Sequence, residues 1–333
     1  MHLNCEVNKY VLLTGAGFTR DFGGFLANEM WALIFNSPML KNYPRITSLM
    51  RNDFDYESIY YEVIDGKDFN EDEKNALTEV VFSSYKRLDD SVRNYRNLGT
   101  KQPVDISTVS NFIDRFSGLP KKNGRNDTKG FFFTLNQDLL IERYFSSSNM
   151  PALYVNQPTS EICQGKEYDE NTCLRILPAT DIEKTNPLSS SKYFYVKLHG
   201  SWNWYSSDGK KKLVIGRNKI NQINDEPVLK RYFEIFKETL LKGNIKLFVI
   251  GYGFGDEHIN KVIADSVQNN NLKLYVLNPS YPEKFKNDLH RNKPHGERIW
   301  NGLTGYFPYS LSQVFPGTET VDYQLIRDSY FNS

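Results

Sequence analysis

The sequence predicts an α/β protein: a parallel sheet with helices on both faces, carrying a helical insertion. Three observations predict it. Short apolar runs alternate with helical periodicities beyond residue 130, which implies parallel strands joined by helical crossovers. The first apolar run, VLLT, ends in Gly15-Ala16-Gly17, the kind of turn that opens a nucleotide-binding strand–turn–helix unit. Between that turn and the next clear strand lies a long polar, helix-rich stretch, which reads as an insertion.

The elements follow in order. Lys9 to Thr14 reads as a buried strand, and Asn28 to Phe35 has helical spacing, with Met30, Trp31, Leu33 and Ile34 on its apolar side. Within the insertion, Glu71 to Tyr95 is the clearest helix: Leu77, Val80, Val81, Tyr85, Leu88 and Val92 recur at three- and four-residue steps. Asp105 to Phe116 predicts a shorter helix, and Gly118 to Gly130 is loop chemistry. Phe131 to Leu135 then predicts a strand and Gln137 to Phe145 a helix, and Ser146 to Ser191 is irregular. Tyr193 to Leu198, Ile245 to Ile250 and Leu272 to Leu277 read as strands. Pro227 to Leu241, Glu257 to Val267 and Pro282 to His290 read as helices. The five strands and their crossovers make a Rossmann-like sheet.

Bulk composition narrows the function classes. The chain of 333 residues is 39% hydrophobic, enough for a sizeable core. Its net charge of +1 gives no reason to expect a nucleic acid as partner. The polar start MHLNCEVNKY and the lack of any long apolar run predict a soluble, cytoplasmic chain without a membrane span. The three cysteines, Cys5, Cys163 and Cys173, form no C-x-x-C pair, so neither a disulfide framework nor a zinc ribbon is expected. No His/Asp/Glu cluster with ligand spacing stands out, and no metal is expected.

Ligands of open parallel sheets bind outside the carboxyl ends of the strands. Five consecutive strand ends here carry small, polar or glycine residues: Gly15-Ala16-Gly17-Phe18-Thr19, Asn136-Gln137-Asp138, His199-Gly200-Ser201, Gly251 to Asp256, and Asn278-Pro279. The first turn departs from the dinucleotide fingerprint G-x-G-x-x-G, because Arg20 stands where the third glycine belongs. It is read either as a plain turn or as a phosphate loop. In the second reading Gly15 and Gly17 let the backbone approach a diphosphate, and the turn N–H groups and Thr19 donate to it.

GAGFT, TLNQD, LHGS and GYGF, in this order and at these positions, resemble the sirtuin-type NAD-binding fold, and in particular bacterial sirtuin-like proteins, many of which hydrolyse NAD in anti-phage defence. The resemblance implies an NAD-binding α/β domain over residues 1–36 and 130–295. A helical insertion then spans 37–129, and a C-terminal helical tail spans 296–333 and packs on the domain or on a partner. It further implies that Gly15, Ala16, Gly17, Phe18, Thr19, Asp138, Gly251, Gly253 and Asn278 bind NAD+. The chain departs from deacylating sirtuins in lacking their four-cysteine zinc module, in carrying Leu135 where those have Gln, and in carrying Gly253 where they have Ser.

Asn136 and His199 are the expected catalytic pair. An Asn amide can hold the nicotinamide ribose and a water, although an Asn at a strand end also makes Asx turns. His199 ends a buried strand before Gly200, and an imidazole can take a proton from water or from a ribose hydroxyl; a satisfied core histidine is the alternative. Asp138 either caps a helix or holds the nicotinamide carboxamide. Asp256 reads first as a helix N-cap and His258 as a surface or packing histidine. Trp202 and Trp204 read as pocket wall, core or oligomer contact. The expected function is an NAD+ glycohydrolase releasing nicotinamide and ADP-ribose. The alternatives are a non-catalytic module sensing NAD or ADP-ribose, and a protein deacylase. The expected partners are a homo-oligomer or a regulatory protein, either a ring ATPase or a nucleotide-processing enzyme. The insertion with its aromatic segment Phe54 to Tyr61, and the tail from Tyr306 to Phe331, are expected to provide that contact; the alternative is that both simply complete the core of the monomer.

Overall fold

Alternate residues along each strand face opposite sides of a sheet, and here they feed two separate cores. A computed structural model describes residues 3, 5–119, 127–145, 150, 153–156, 174–184, 188, 191–205, 211–213, 215 and 219–332. Cys163 and Cys173 lie outside the described residues. The main sheet contains β1 (Glu6–Val7), β2 (Tyr10–Thr14), β3 (Thr128–Thr134), β4 (Tyr193–Lys197), β5 (Lys246–Ile250), β6 (Lys273–Leu277) and β7 (Leu303–Phe307). All its pairings are parallel. The order is β4-β3-β2-β5-β6-β7, with β1 pairing to the start of β3. This is a Rossmann order, and its switch point lies between β2 and β5.

Val11, Leu13, Phe131, Phe133, Leu247, Val249, Leu274 and Val276 join one core, together with Tyr232 and Phe236 of the Pro227–Leu241 helix. Their neighbours Leu12, Phe132, Phe248 and Tyr275 join the other, with Ile59, Val80, Val81, Leu88 and Phe112 of the insertion. The insertion is therefore the helical layer over one face of the sheet. Its Glu71–Arg93 helix is opened by a capping box: Asn70 Oδ1 accepts from Glu73 N, and Glu73 Oε2 accepts from Asn70 N.

Several expectations are corrected. The segment expected as a helical tail begins with Gly296–Asn301 as a helix, but then adds strand β7 to the sheet edge. Gly305 in that strand lies so close to the Tyr275 ring that a Cβ would sit 2.6 Å from it. The tail's aromatic residues are also largely committed within the chain. Tyr330 is fully buried, and its hydroxyl donates to Lys246 O at 2.6 Å. In Phe54 to Tyr61, Tyr56 and Ile59 are buried, whereas Phe54 is 70% exposed. The helix expected from Gln137 begins only at Leu140. A smaller sheet contains Gly200–Tyr205, where Trp202 and Trp204 are buried core residues.

Candidate functional site

The carboxyl ends of β2 and β5 meet backbone to backbone. Gly15 N donates to Ile250 O at 3.0 Å, and Gly17 N donates to Gly251 O at 2.9 Å. A Cβ on Gly15 would lie 2.8 Å from Gly251 O, and a Cβ on Gly17 would lie 2.8 Å from Gly251 Cα. Gly251 itself has φ +64, a left-handed conformation that favours glycine, and a Cβ there would run into Gly17 and the Phe18 nitrogen. The glycines thus let two turns touch each other. The expected N–H donors are partly spent: Phe18 N bonds Gly15 O, and Gly17 N bonds Gly251 O. Phe18 is a core side chain packed edge-on against Phe132. Thr19, expected to donate to a diphosphate, is 2% exposed and bonded inside the protein. Arg20 pairs with Glu29 at 2.9 Å, and Asp21 accepts from Ser312 N.

The Thr19 hydroxyl instead organises the end of β3. Asn136 Nδ2 donates to Thr19 Oγ1 at 2.8 Å and to Gly15 O at 2.9 Å. Since a carbonyl can only accept, the nitrogen must face Gly15, and Asn136 has its Oδ1 left to offer a ligand as an acceptor. The Asn136 N–H donates to Thr134 Oγ1, which also accepts from Thr14 Oγ1. Asp138 Oδ1 accepts from Leu140 N at 3.0 Å, a turn one residue before the short helix, whose N-cap position is held by Leu139 without a side-chain cap, and burial raises the Asp138 pKa. Ala16, Asn136, Asp138 and His199 nevertheless line one cavity of about 110 Å³, shared with Tyr56, Glu57 and Tyr85 of the insertion.

The expected site residues fall into two groups. Gly253 and Asn278 line a separate cleft of about 290 Å³ with Ser280, Lys284 and Arg291. Gly251 is the pivot between the two turns. Asn278 Oδ1 accepts from Ser280 N and so closes a turn.

Around His199 the structure adds residues that had other readings or none. His199 Nε2 lies 3.1 Å from His258 Nε2. Asp256 occupies the N-cap position of the Glu257–Asn269 helix without making a side-chain cap. Its Oδ1 instead accepts from Lys219 Nζ at 2.8 Å, and the same ammonium lies 2.7 Å from Glu57 Oε2. The chain Glu57–Lys219–Asp256 thereby clamps the insertion to the far side of the site. Gln137 is a second tie. Its Nε2 donates to His199 O at 3.2 Å, and its Oε1 accepts from Tyr85, whose hydroxyl meets that of Tyr56 at 3.1 Å.

Burial pushes His199 well below the usual imidazole range, and burial likewise pulls His258 down to about 4. Both rings are therefore neutral near pH 7. Burial opposes ionisation of Asp256, but the charge and hydrogen bond of Lys219, with the neighbouring His199 and His258, together hold the carboxyl well below the usual range. Burial raises Glu57 against the pull of the same ammonium. His199, Asp256 and His258 also form a group whose ligand atoms all lie within 4.8 Å of one another. The two histidines stand 59 positions apart, so no ligand spacing shows in the sequence.

Asn136 and His199 thus bring an amide and a buried imidazole from the carboxyl ends of the neighbouring strands β3 and β4 to one cavity. Among the described residues no helix is long and apolar enough to cross a membrane. No curated protein matches the chain. The SIR2-like domain family matches residues 130–298, from within β3 to the helix before β7; the Gly15–Thr19 turn lies outside that stretch. SIR2-like domains use NAD+, and by this match over half of its length the chain belongs to the SIR2-like family.

Proposed function

We propose that the protein is an NAD+ glycohydrolase, cleaving the nicotinamide–ribose bond to give nicotinamide and ADP-ribose. One observation carries the reading: Asn136 and His199, from different strand ends, line a single small cavity beside Ala16 and Asp138. At about 110 Å³ it suits the reacting end of a dinucleotide rather than the whole. The Gly253–Asn278 cleft is the complementary place for the adenosine end.

The chemistry asks little of the protein. The C–N bond to the pyridinium breaks with its electron pair going to the ring nitrogen, and the ribose carbon becomes oxocarbenium-like. Water then bonds to that carbon and loses a proton. Asn136 Oδ1 accepts from a ribose hydroxyl or from the water and so orients it. His199 takes the proton, which a neutral imidazole can do. The insertion closes one side through Glu57 and Tyr85 and keeps bulk water away from the cation. The family resemblance extends the reading to NAD depletion in anti-phage defence under a partner's control.

The test is nicotinamide release from NAD+ by the purified, metal-stripped chain, with and without an acylated peptide and with and without a candidate partner. The expected result is peptide-independent release that His199→Ala slows by about 10²-fold or more. Release that needs the peptide would show a deacylase instead. Tight binding of NAD+ with no release in any arm would show a sensing module.

A further inference from the structure

We propose that His199, His258 and Asp256 form a binding site for one divalent transition-metal ion, with Zn²⁺ the best chemical match. The two imidazole Nε2 atoms lie 3.1 Å apart. Two metal–nitrogen bonds of about 2.05 Å to atoms that far apart subtend roughly 100°, near the tetrahedral value. One ligand atom each of His199, His258 and Asp256 lies within 4.8 Å of the other two, so an ion gains its third ligand when the Asp256 side chain moves in. Two imidazoles and one carboxylate are donors for a borderline ion. Mg²⁺ and Ca²⁺ prefer all-oxygen sets. Three protein ligands leave a fourth position for water.

The surroundings fix these donors. His199 is 4% exposed at the end of β4, and its backbone is held by Gln137. His258 sits in the first turn of the Glu257–Asn269 helix with its ring edge-on to Phe233, 5.6 Å between centroids. Lys219 is the obvious competitor for Asp256. It already shares its ammonium with Glu57, so an incoming cation removes one of its two carboxylates and leaves it paired. Two carboxyl groups facing one ammonium can accommodate added positive charge better than a matched pair can.

A metal ion on His199 takes the lone pair that proton abstraction needs, so the bound ion switches turnover off. That consequence rests on the glycohydrolase reading; the binding itself does not.

The full-length chain, stripped with EDTA, is titrated with Zn²⁺ by calorimetry and with Co²⁺ by visible absorption. One ion per chain is expected, with the intense visible bands of a low-coordinate nitrogen–oxygen site. His258→Gln and Asp256→Asn should each weaken binding by about 10-fold or more, with melting curves confirming that they fold. His290→Gln, an exposed control, should leave it unchanged. Absence of saturable binding to the wild-type chain overturns the proposal. So does a weak, octahedral Co²⁺ spectrum, which decides the matter even if a variant fails to fold. So, too, does undiminished affinity in a folded His258→Gln, which would leave the pair as a plain His–His hydrogen bond. In the nicotinamide assay Zn²⁺ should inhibit in step with occupancy. A chain that binds Zn²⁺ here yet never releases nicotinamide overturns the function and leaves the site standing.

Discussion

Replacing Lys219 by Met removes an ammonium that lies 2.7 Å from Glu57 and 2.8 Å from Asp256. The side chains of Lys219, Glu57 and Asp256 retain 18%, 25% and 15% of their exposure, so the cluster is neither a surface pair nor a dry one. Breaking a buried pair by removing one partner costs about 3–5 kcal/mol, whereas exposed pairs contribute about 0–1 kcal/mol. Partial water access puts the expected loss at about 2–3 kcal/mol, because two carboxylates then face each other without their shared counter-ion. For a chain of this size the melting temperature should fall by roughly 3–4 °C in a calorimetric scan. Adding Glu57→Gln to Lys219→Met removes one of the opposed charges and should restore about 1 kcal/mol or more, a non-additivity that a double-mutant cycle measures directly. A Lys219→Met protein as stable as wild type, or a double variant whose losses simply add, would refute the clamp between insertion and site.

His199→Ala should melt like the wild type yet release nicotinamide about 10²- to 10⁴-fold more slowly; a variant keeping more than about a tenth of the rate removes His199 as the base. Gly251→Ala should lose about 1–2 kcal/mol from the left-handed backbone, and more from collision with Gly17, seen as a lower melting temperature. Gly253→Ala, where nothing lies within 4 Å of the added carbon, should melt unchanged; equal stability of the two variants would contradict the turn-on-turn packing. Tyr330→Phe leaves the Lys246 and Val11 carbonyls without their hydroxyl donor and should cost about 1–2 kcal/mol in urea unfolding, with no change in the unfolding slope.

The sheet was legible because its strands announce themselves twice, by apolar runs such as FFFT and by the polar residues that follow them. Strand β7 was not, since LTGYF carries a glycine in mid-strand and is only partly buried at the sheet edge. Asn136 and His199 were found by position at strand ends, and the structure puts them on one cavity. Glu57 and Lys219 could not be found that way. Glu57 lies in an ordinary helix of the insertion, Lys219 in a short helix near no motif, and only the folded chain brings both to Asp256. For His258 there was a local signal: Asp and His two residues apart at a helix start, directly after a glycine turn, aim at the same strand ends as His199. Gly15 and Gly17 left two readings, a plain turn and a phosphate loop, for a physical reason. A glycine tells of close approach but not of what approaches, and here the nearest neighbour is another turn.

Tyr330 has a consequence for the order in which the molecule can be made. Its hydroxyl bonds the carbonyls of Val11 and Lys246, its ring meets Tyr10 and Phe248, and Tyr10 in turn donates to Phe331 O. The residues that close the core around β2 are thus separated from it by 319 positions of chain. At ~5–20 residues per second, a ribosome needs roughly 15–60 s to travel that distance. Throughout that interval β2 has been synthesised while the aromatic plug over its amino end has not. A chain interrupted during translation before Tyr330 leaves Tyr10, Phe112 and Phe116 uncovered, and such apolar surface draws chaperones and proteases. The finished core around β2 is available only to chains that have been translated as far as Tyr330.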